Sequence, residues 1–318
     1  MSDPLIDVHA HFVTDAYVAA ARAAGHVNPD GMPAYPSWSQ EAHLRVMDEH
    51  GIAVSLLSIS SPGTHFGDDA AARALSREVN LAGARVVADH PDRFGHFASL
   101  PLPDVEGSLA EAVFALDELG SDGVVLQSNA HGRYLGDAAY EPLWAELDRR
   151  AAAVFVHPTS PPGAEALTSG RPRPVLEFLF DTTRTATDLA LTGVFTRYPR
   201  INWILTHCGG TLPLLADRIE MFRTLLLGGT ADQESVPAQL ARQWFDLAGT
   251  PFPNQAAALS AAFGTRGALY GSDFCWTPAP AVATQIASLD AASPPPEGGT
   301  WRTLTTANAR TLFPRLKP

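Results

Sequence analysis

Short apolar runs rich in β-branched residues recur along the chain, and each gives way to polar or small residues. They are LIDVHA (5–10), VSLLSIS (54–60), RFGHFASL (93–100), DGVVLQSN (122–129), AVFVHP (153–158), NWILTHC (202–208), WFDLAG (244–249) and GALYGSD (267–273). Runs of this length and composition predict buried strands. Between them the apolar positions move to helical spacing. SQEAHLRVMDEHG (39–51) puts Leu44, Met47 and Asp48 at i, i+3 and i+4, with Gly51 as a stop. DDAAARALSREVNLAGARVVADHP (68–91) predicts a longer helix ending before Pro91. GSLAEAVFALDELG (107–120) predicts a third, with Ser108 as N-cap and Gly120 as stop.

Alternating strands and helices imply parallel strands joined by crossover helices. Eight such units predict the α/β class: a (β/α)8 TIM barrel, with 1–318 as a single domain. A doubly wound sheet competes, but it carries a glycine-rich turn after its first strand. Here the first strand runs into HAHFVTDAY. Three connections exceed simple loops: 22–39, 159–178 and 276–300. The first two follow strands one and five, on the catalytic face of a barrel, and are expected to be lid-like insertions. SPPPEGG, in the third, reads as a surface linker.

Composition adds limits. The 46 % hydrophobic content of the 318 residues feeds a large core. The 22 basic and 34 acidic residues give a net charge of −12, which disfavours nucleic acid and an anionic membrane surface as partners. An anionic substrate stays compatible, because a bound metal or a local arginine reverses the sign inside a pocket. Cys208 and Cys275 are the only cysteines, so no disulfide framework is expected and a reducing cytoplasm is. MSDPLIDVHA has no basic n-region, and no apolar run of about 18 residues occurs, so neither a signal peptide nor a membrane span is expected.

Histidine placement carries the chemistry. On a strand, His9 and His11 of IDVHAH point to the same side, roughly 6–7 Å apart at about 3.3 Å per residue, and can converge on one ion. Alone, such a pair also arises by chance among eleven histidines. Other run ends change the balance: His157 in VFVHP, His207 in ILTHCGG and Asp273 in LYGSDF. Imidazoles with a carboxylate suit Zn²⁺ or another divalent first-row metal. After His207, Gly209 and Gly210 let backbone approach a ligand or make a tight turn. Thr211 then offers an N-cap, with Pro213 in the first helical turn. Each cysteine closely follows a site residue, but a nucleophile needs a lowered pKa and a base. Alternation turns Cys208 away from His207; packing is expected for both, with Cys275 the one placed to face a pocket.

IDVHAH, VFVHP, ILTHCGGTLPLLADRI and YGSDF, in this order and spacing, resemble the signature strand ends of the amidohydrolase superfamily. More narrowly they resemble its branch of aminocarboxymuconate-semialdehyde decarboxylase and non-oxidative aromatic acid decarboxylases. DEHGIAVSLLSISSPGTHFGDDAAARALSREVN and EFLFDTTRTATDLALTGVFTRYPRINWILTHCGGTLP look most like 6-methylsalicylate decarboxylase-type enzymes. The resemblance implies one divalent metal, zinc with manganese as the alternative, held by His9, His11, His157 and Asp273. It makes His207 and Asp273 catalytic. Many superfamily hydrolases bridge two metals with a carboxylated lysine on strand four. That strand is DGVVLQSN, and the only lysine is Lys317, so a lysine-bridged pair is excluded.

The expected activity is therefore decarboxylation of a small hydroxylated aromatic, salicylate-type acid. The alternative is a mononuclear metallohydrolase of an amide, ester or lactone. Phe66, Phe274 and Trp276 are candidates for an apolar slot, with Tyr35 or Trp38 covering the ring. His65, Gln127 and Asn129 are polar candidates. Arg218 matches a family arginine that contacts substrate carboxylate or the subunit interface, and Arg184 has the same ambiguity. Branch members are often dimers, so a homodimer is expected.

Overall fold

Nearly every side chain of the eight apolar runs is buried on both faces, as parallel barrel strands require. β1 (Leu5–His11), β2 (Ile52–Ser58), β3 (Phe94–Ser99), β4 (Gly123–Gln127), β5 (Ala153–His157), β6 (Asn202–Leu205), β7 (Trp244–Asp246) and β8 (Ala268–Leu269) form one parallel sheet in sequential order. Its ends meet through bridges between Asp7 and Tyr270 and between Ala10 and Phe274. The Val8 N–H donates to the Tyr270 carbonyl at 2.9 Å. With its flanking helices the sheet makes a (β/α)8 barrel. This computed structural model describes residues 3–230 and 232–316. Lys317 lies outside them; β4 ends in Gln127, so the strand-four position holds no lysine.

A compact apolar cluster draws side chains from the successive strands, among them Val8, Val54, Phe97, Val125, Phe155 and Ile204, and so fills the barrel interior. Phe97 stacks on Phe155 at 5.3 Å and meets Phe313 at 5.8 Å. Phe313 follows the helix Trp301–Leu312, whose Thr306 bonds the carbonyl of Pro4 just before β1. That helix therefore plugs the N-terminal end of the barrel. At the other end the His9 ring rests against Phe155, 4.9 Å away. The site sits directly on the core plug.

Three local expectations change. Helix Gln40–His50 has Ser39 as its cap, bonded by the Ala42 N–H at 3.2 Å, and stops at Gly51 with φ 68°. Its buried face is His43, Val46 and Met47, whereas Asp48 is exposed and pairs with Arg93 at 2.7 Å. The helix expected from Ser108 begins earlier, at Val105. Asp104 caps it by accepting from the Gly107 N–H at 3.0 Å, and Ser108 is buried inside it. A charged cap at a helix N-terminus accepts orphan N–H groups and complements the dipole. β6 ends at Leu205 and β8 at Leu269, so His207 (φ 55°), Cys208 (φ 57°) and Asp273 (φ 58°) stand in left-handed turns beyond their strands.

The loops after β1 and β5 touch. Asp30 Oδ1 accepts from the Ser160 N–H at 3.2 Å and from the Ser160 hydroxyl at 2.6 Å. SPPPEGG is mostly exposed. A small hairpin absent from the expectations pairs Asn129–Ala130 with Arg133–Tyr134 through His131 (φ 52°) and Gly132 (φ 85°). Two successive positive φ values match the twist of a tight hairpin. Among the described residues no helix is long and apolar enough to cross a membrane.

Candidate metal centre

His9 and His11 face the same side of β1, their Nε2 atoms 3.0 Å apart. Asp273 Oδ1 lies 3.5 Å from His9 Nε2 and 3.2 Å from His11 Nε2. From β5 the His157 ring approaches to 4.9 Å from the His11 ring and 5.4 Å from the His9 ring, centre to centre. One donor atom from each of His9, His11, His157 and Asp273 lies within 4.8 Å of all the others.

The outward nitrogens decide whether this cluster suits a cation. His9 Nδ1 is 2.9 Å from Asp246 Oδ2, both groups fully buried. His11 Nδ1 is 3.0 Å from the Ser58 hydroxyl oxygen, whose own proton goes to the Ala10 carbonyl. His157 Nδ1 is 2.7 Å from the Pro158 carbonyl. Each Nδ1 therefore meets an acceptor, which places the proton there and turns the Nε2 lone pair inward. Metal-binding histidines need this tautomer, set by outer hydrogen bonds. Three inward lone pairs and one carboxylate suit a divalent ion.

Electrostatics agree. Burial alone would lower the pKa of His9, but Asp246 and Asp273 outweigh it and raise it to about 10. Burial lowers His11, and lowers His157 well below the usual imidazole value. Burial opposes charge on Asp273, yet the charge of His9 and hydrogen bonds from His11 and His207 hold its carboxyl well below the usual range.

His207 stands beside the cluster, its Nε2 3.7 Å from Asp273 Oδ2 and its ring 5.1 Å from that of His9. Its Nδ1 is buried without a protein partner. Asp246 also fixes its backbone: Oδ1 accepts from the His207 N–H at 2.9 Å and the Ala248 N–H at 3.0 Å. One carboxylate thus orients His9 and anchors the turn bearing His207. A Cβ at Gly210 (φ 63°) would fall 2.2 Å from the Leu179 carbonyl oxygen, so only glycine fits. Thr211 occupies the N-cap of helix Leu212–Leu226 without a capping bond, because its hydroxyl meets that of Thr183 at 2.9 Å; Pro213 sits in the first turn.

A cavity of ≈ 370 Å³ opens over the cluster, with His157, His207 and Asp273 on its lining. Trp276, Phe178, Leu179 and Met32 supply apolar walls, and Asp30 and Ser61 polar ones. Trp276 is thus placed as the sequence suggested. Phe274 is not: the left-handed turn at Asp273 directs its ring into the core, 4.8 Å from His43. His65 and Phe66 also miss this cavity. His65 Nδ1 is 2.9 Å from His131 Nε2 and its Nε2 2.9 Å from Asp69, while Phe66 lies 5.0 Å from the His26 ring. Arg218 falls on the solvent face of helix Leu212–Leu226, over the Phe222 ring at 4.8 Å, away from the cavity.

Tyr35 donates to the His26 carbonyl and Trp38 to His43, so the loop after β1 contributes Asp30 and Met32 instead. Arg184 is 3.5 Å from Asp181. Gln127 and Asn129 face a neighbouring chamber. Burial raises both thiols, Cys275 to about 12 and Cys208 further, which removes either as a nucleophile. Asp246 is the residue that reading by histidine missed, although it too ends an apolar run, WFD.

A parallel (β/α)8 barrel with three imidazoles and a carboxylate converging at its mouth is a metal-site barrel. The amidohydrolase family model matches residues 6–315, and the chain belongs to that family. It is 36 % identical over 322 residues to the 6-methylsalicylic acid decarboxylase of Penicillium expansum, covering 98 % of this chain and 97 % of that one. A crystal structure described as amidohydrolase II matches with a TM-score of 0.89 at 30 % identity, over 98 % of this chain and 100 % of the other. The dihydroxybenzoic acid decarboxylase of Polaromonas sp. JS666, solved with bound manganese and the inhibitor 2-nitroresorcinol, shares the fold. Its TM-score is 0.84 at 24 % identity, covering 99 % of this chain and 98 % of that one.

Proposed function

We propose that this protein is a metal-dependent carboxy-lyase that removes CO2, without oxidation, from a small hydroxylated aromatic acid of the salicylate type. The observation that carries the reading is the set of inward Nε2 atoms of His9, His11 and His157 closing on Asp273, with His207 alongside. Full-length similarity to a 6-methylsalicylic acid decarboxylase supports the substrate class.

His9, His11, His157 and Asp273 would hold the ion, and zinc is our assignment, with manganese compatible with the same donors. Bound there, the ion supplies Lewis acidity toward the substrate carboxylate and its neighbouring hydroxyl. Asp273 delivers a proton to the ring carbon bearing the carboxylate. His207, 3.7 Å from Asp273 Oδ2, holds that proton beforehand and relays it from solvent. The carbon–carbon bond then breaks, its electron pair restores the aromatic ring, and CO2 leaves. Trp276, Phe178 and Leu179 flank the ring and exclude water. The loops 22–39 and 159–178, joined by Asp30 and Ser160, cover the cavity.

We further propose that 1–318 works as one domain, in the cytoplasm, as a homodimer. The buried free thiols Cys208 and Cys275 fit a reducing compartment. Incubating metal-loaded protein with 2-hydroxybenzoic acids should yield CO2, while amides, esters and lactones stay intact. Hydrolysis without CO2 release would overturn the proposal in favour of a mononuclear hydrolase.

A further inference from the structure

β1 does not alternate regularly. Asp7 pairs with Ser55 of β2 and Ala10 with Leu57, so Val8 and His9 both stand opposite Leu56. Two residues against one make a β-bulge, which re-aims the side chains that follow it. Before it, Ile6 and Val8 point into the barrel interior, while Asp7 shares the outer face with Ser55. Regular alternation would therefore send His9 and His11 outward with Asp7. The bulge reverses the phase, and the His9 ring turns inward to meet Phe155. The inward direction of both histidines comes from this one irregularity.

The closing seam of the barrel is irregular at the same level. β8 ends at Leu269, and beyond it the chain meets β1 through the Asp7–Tyr270 and Ala10–Phe274 bridges. Between those bridges Val8 and His9 face three residues, Gly271, Ser272 and Asp273. The approach is close: a Cβ at Gly271 would fall 2.6 Å from His9 Cβ. His9 on the bulge and Asp273 in the turn thus stand where no regular ladder sets their spacing.

A single carboxylate spans the two. Asp7 is fully buried, and its Oδ1 accepts from the His9 N–H at 3.1 Å and the Ser272 N–H at 3.0 Å. Its Oδ2 accepts from the Ser272 hydroxyl at 2.6 Å. Ser272 Oγ in turn accepts from the Phe274 N–H at 3.0 Å, so the turn is held on both sides of Asp273. The Asp273 N–H donates to the His9 carbonyl at 2.7 Å and closes the ring of bonds.

We propose that Asp7 is a positioning residue of the metal centre: it clamps the β1 bulge to the 272–274 turn and so sets the spacing of the His9 and Asp273 donor atoms. Asp246 orients the His9 ring and the turn of His207; Asp7 acts on the backbones of two ligands. The assignment rests on His9 and Asp273 being ligands and not on the reaction catalysed.

Co²⁺ tests it, because its visible absorption reports donor geometry without turnover. Metal-stripped full-length protein is reloaded with Co²⁺, and affinity is read by chelator competition, beside the spectrum and an unfolding curve. Asp7→Ala should weaken binding about tenfold or more and change the absorption bands. Asp7→Asn should recover affinity to within about threefold, because one amide oxygen can accept from both backbone N–H groups. That variant also separates positioning from the loss of a buried charge. Should Asp7→Ala fail to fold, Ser272→Ala carries the test: it frees the Phe274 N–H, keeps both backbone bonds to Asp7, and must change the bands. A folded Asp7→Ala protein with wild-type affinity and spectrum overturns the proposal, as does Asp7→Asn binding as weakly as Asp7→Ala, or an unchanged spectrum in Ser272→Ala. Failure of the metal-centre reading looks different: wild type takes up no Co²⁺, or takes it up equally after His11→Ala, and this proposal falls with it.

Discussion

Asp246→Asn replaces one buried carboxylate oxygen with an amide NH2 and should weaken the metal centre. The Asp246 carboxylate accepts from three donors: His9 Nδ1–H through Oδ2, and the His207 and Ala248 N–H groups through Oδ1. Asparagine keeps the shape but has one acceptor and one donor arm. With its oxygen toward the two backbone N–H groups, its NH2 faces His9 Nδ1 and drives the imidazole proton to Nε2, where the ion would bind. With its oxygen toward His9, the amide NH2 confronts two N–H donors at the turn that carries His207. Neither arrangement preserves the site. Loss of such an outer partner typically costs 10–100-fold in metal affinity, about 1.4–2.7 kcal/mol. The assay is metal content and dissociation constant by competition with a chromophoric chelator, beside a melting curve to confirm folding. A folded Asp246→Asn protein holding metal within twofold of wild type would refute the tautomer argument.

Other expectations follow from the same geometry. His207→Gln should retain wild-type metal content, since His207 is outside the set of four, yet lose 10²–10⁴-fold in kcat, the usual range for a proton-transfer group; unchanged turnover would remove it from the mechanism. Burial pushes the pKa of His96 from 6.5 down to about 3. The unfolded chain therefore takes up a proton below about pH 6.5 that the folded chain refuses, and stability falls as pH drops through that window. From His96 alone the loss at pH 5 is roughly 2 kcal/mol, at 1.36 kcal/mol per pKa unit. Denaturant titrations should show a shallower acid loss in His96→Gln; an equal slope would contradict the assignment.

Much of this architecture is legible in the chain because strands buried on both faces leave continuous apolar runs, and the donor residues follow those runs directly. His9, His11 and His157 lie within strands, so strand geometry fixes where they point. His207 and Asp273 lie beyond strand ends, in left-handed turns no alternation rule describes. That turn explains why Trp276, and not Phe274, faces the cavity. Arg218 faces solvent because helical phase is set by the buried Leu212, Ala216 and Arg223; of its two expected roles, this removes contact with substrate in the cavity of its own chain. Asp246 follows Trp244 and Phe245 in the same form as the other run ends, but its role, bonding His9 and the His207 N–H, arises only where the barrel brings three strands together. The joined loops over the cavity depend on Asp30 meeting Ser160, 130 residues apart, a pairing that local pattern does not encode.

In the reaction proposed for this centre, a proton replaces the carboxylate on the ring carbon. It is tested most directly by running the reaction in D2O with a 2-hydroxybenzoic acid and examining the product by NMR and mass spectrometry. One CO2 per phenol formed and one deuterium at the vacated carbon are expected, both abolished by chelation and restored by zinc or manganese. Product that keeps its carboxylate, or turnover indifferent to the metal, would contradict it.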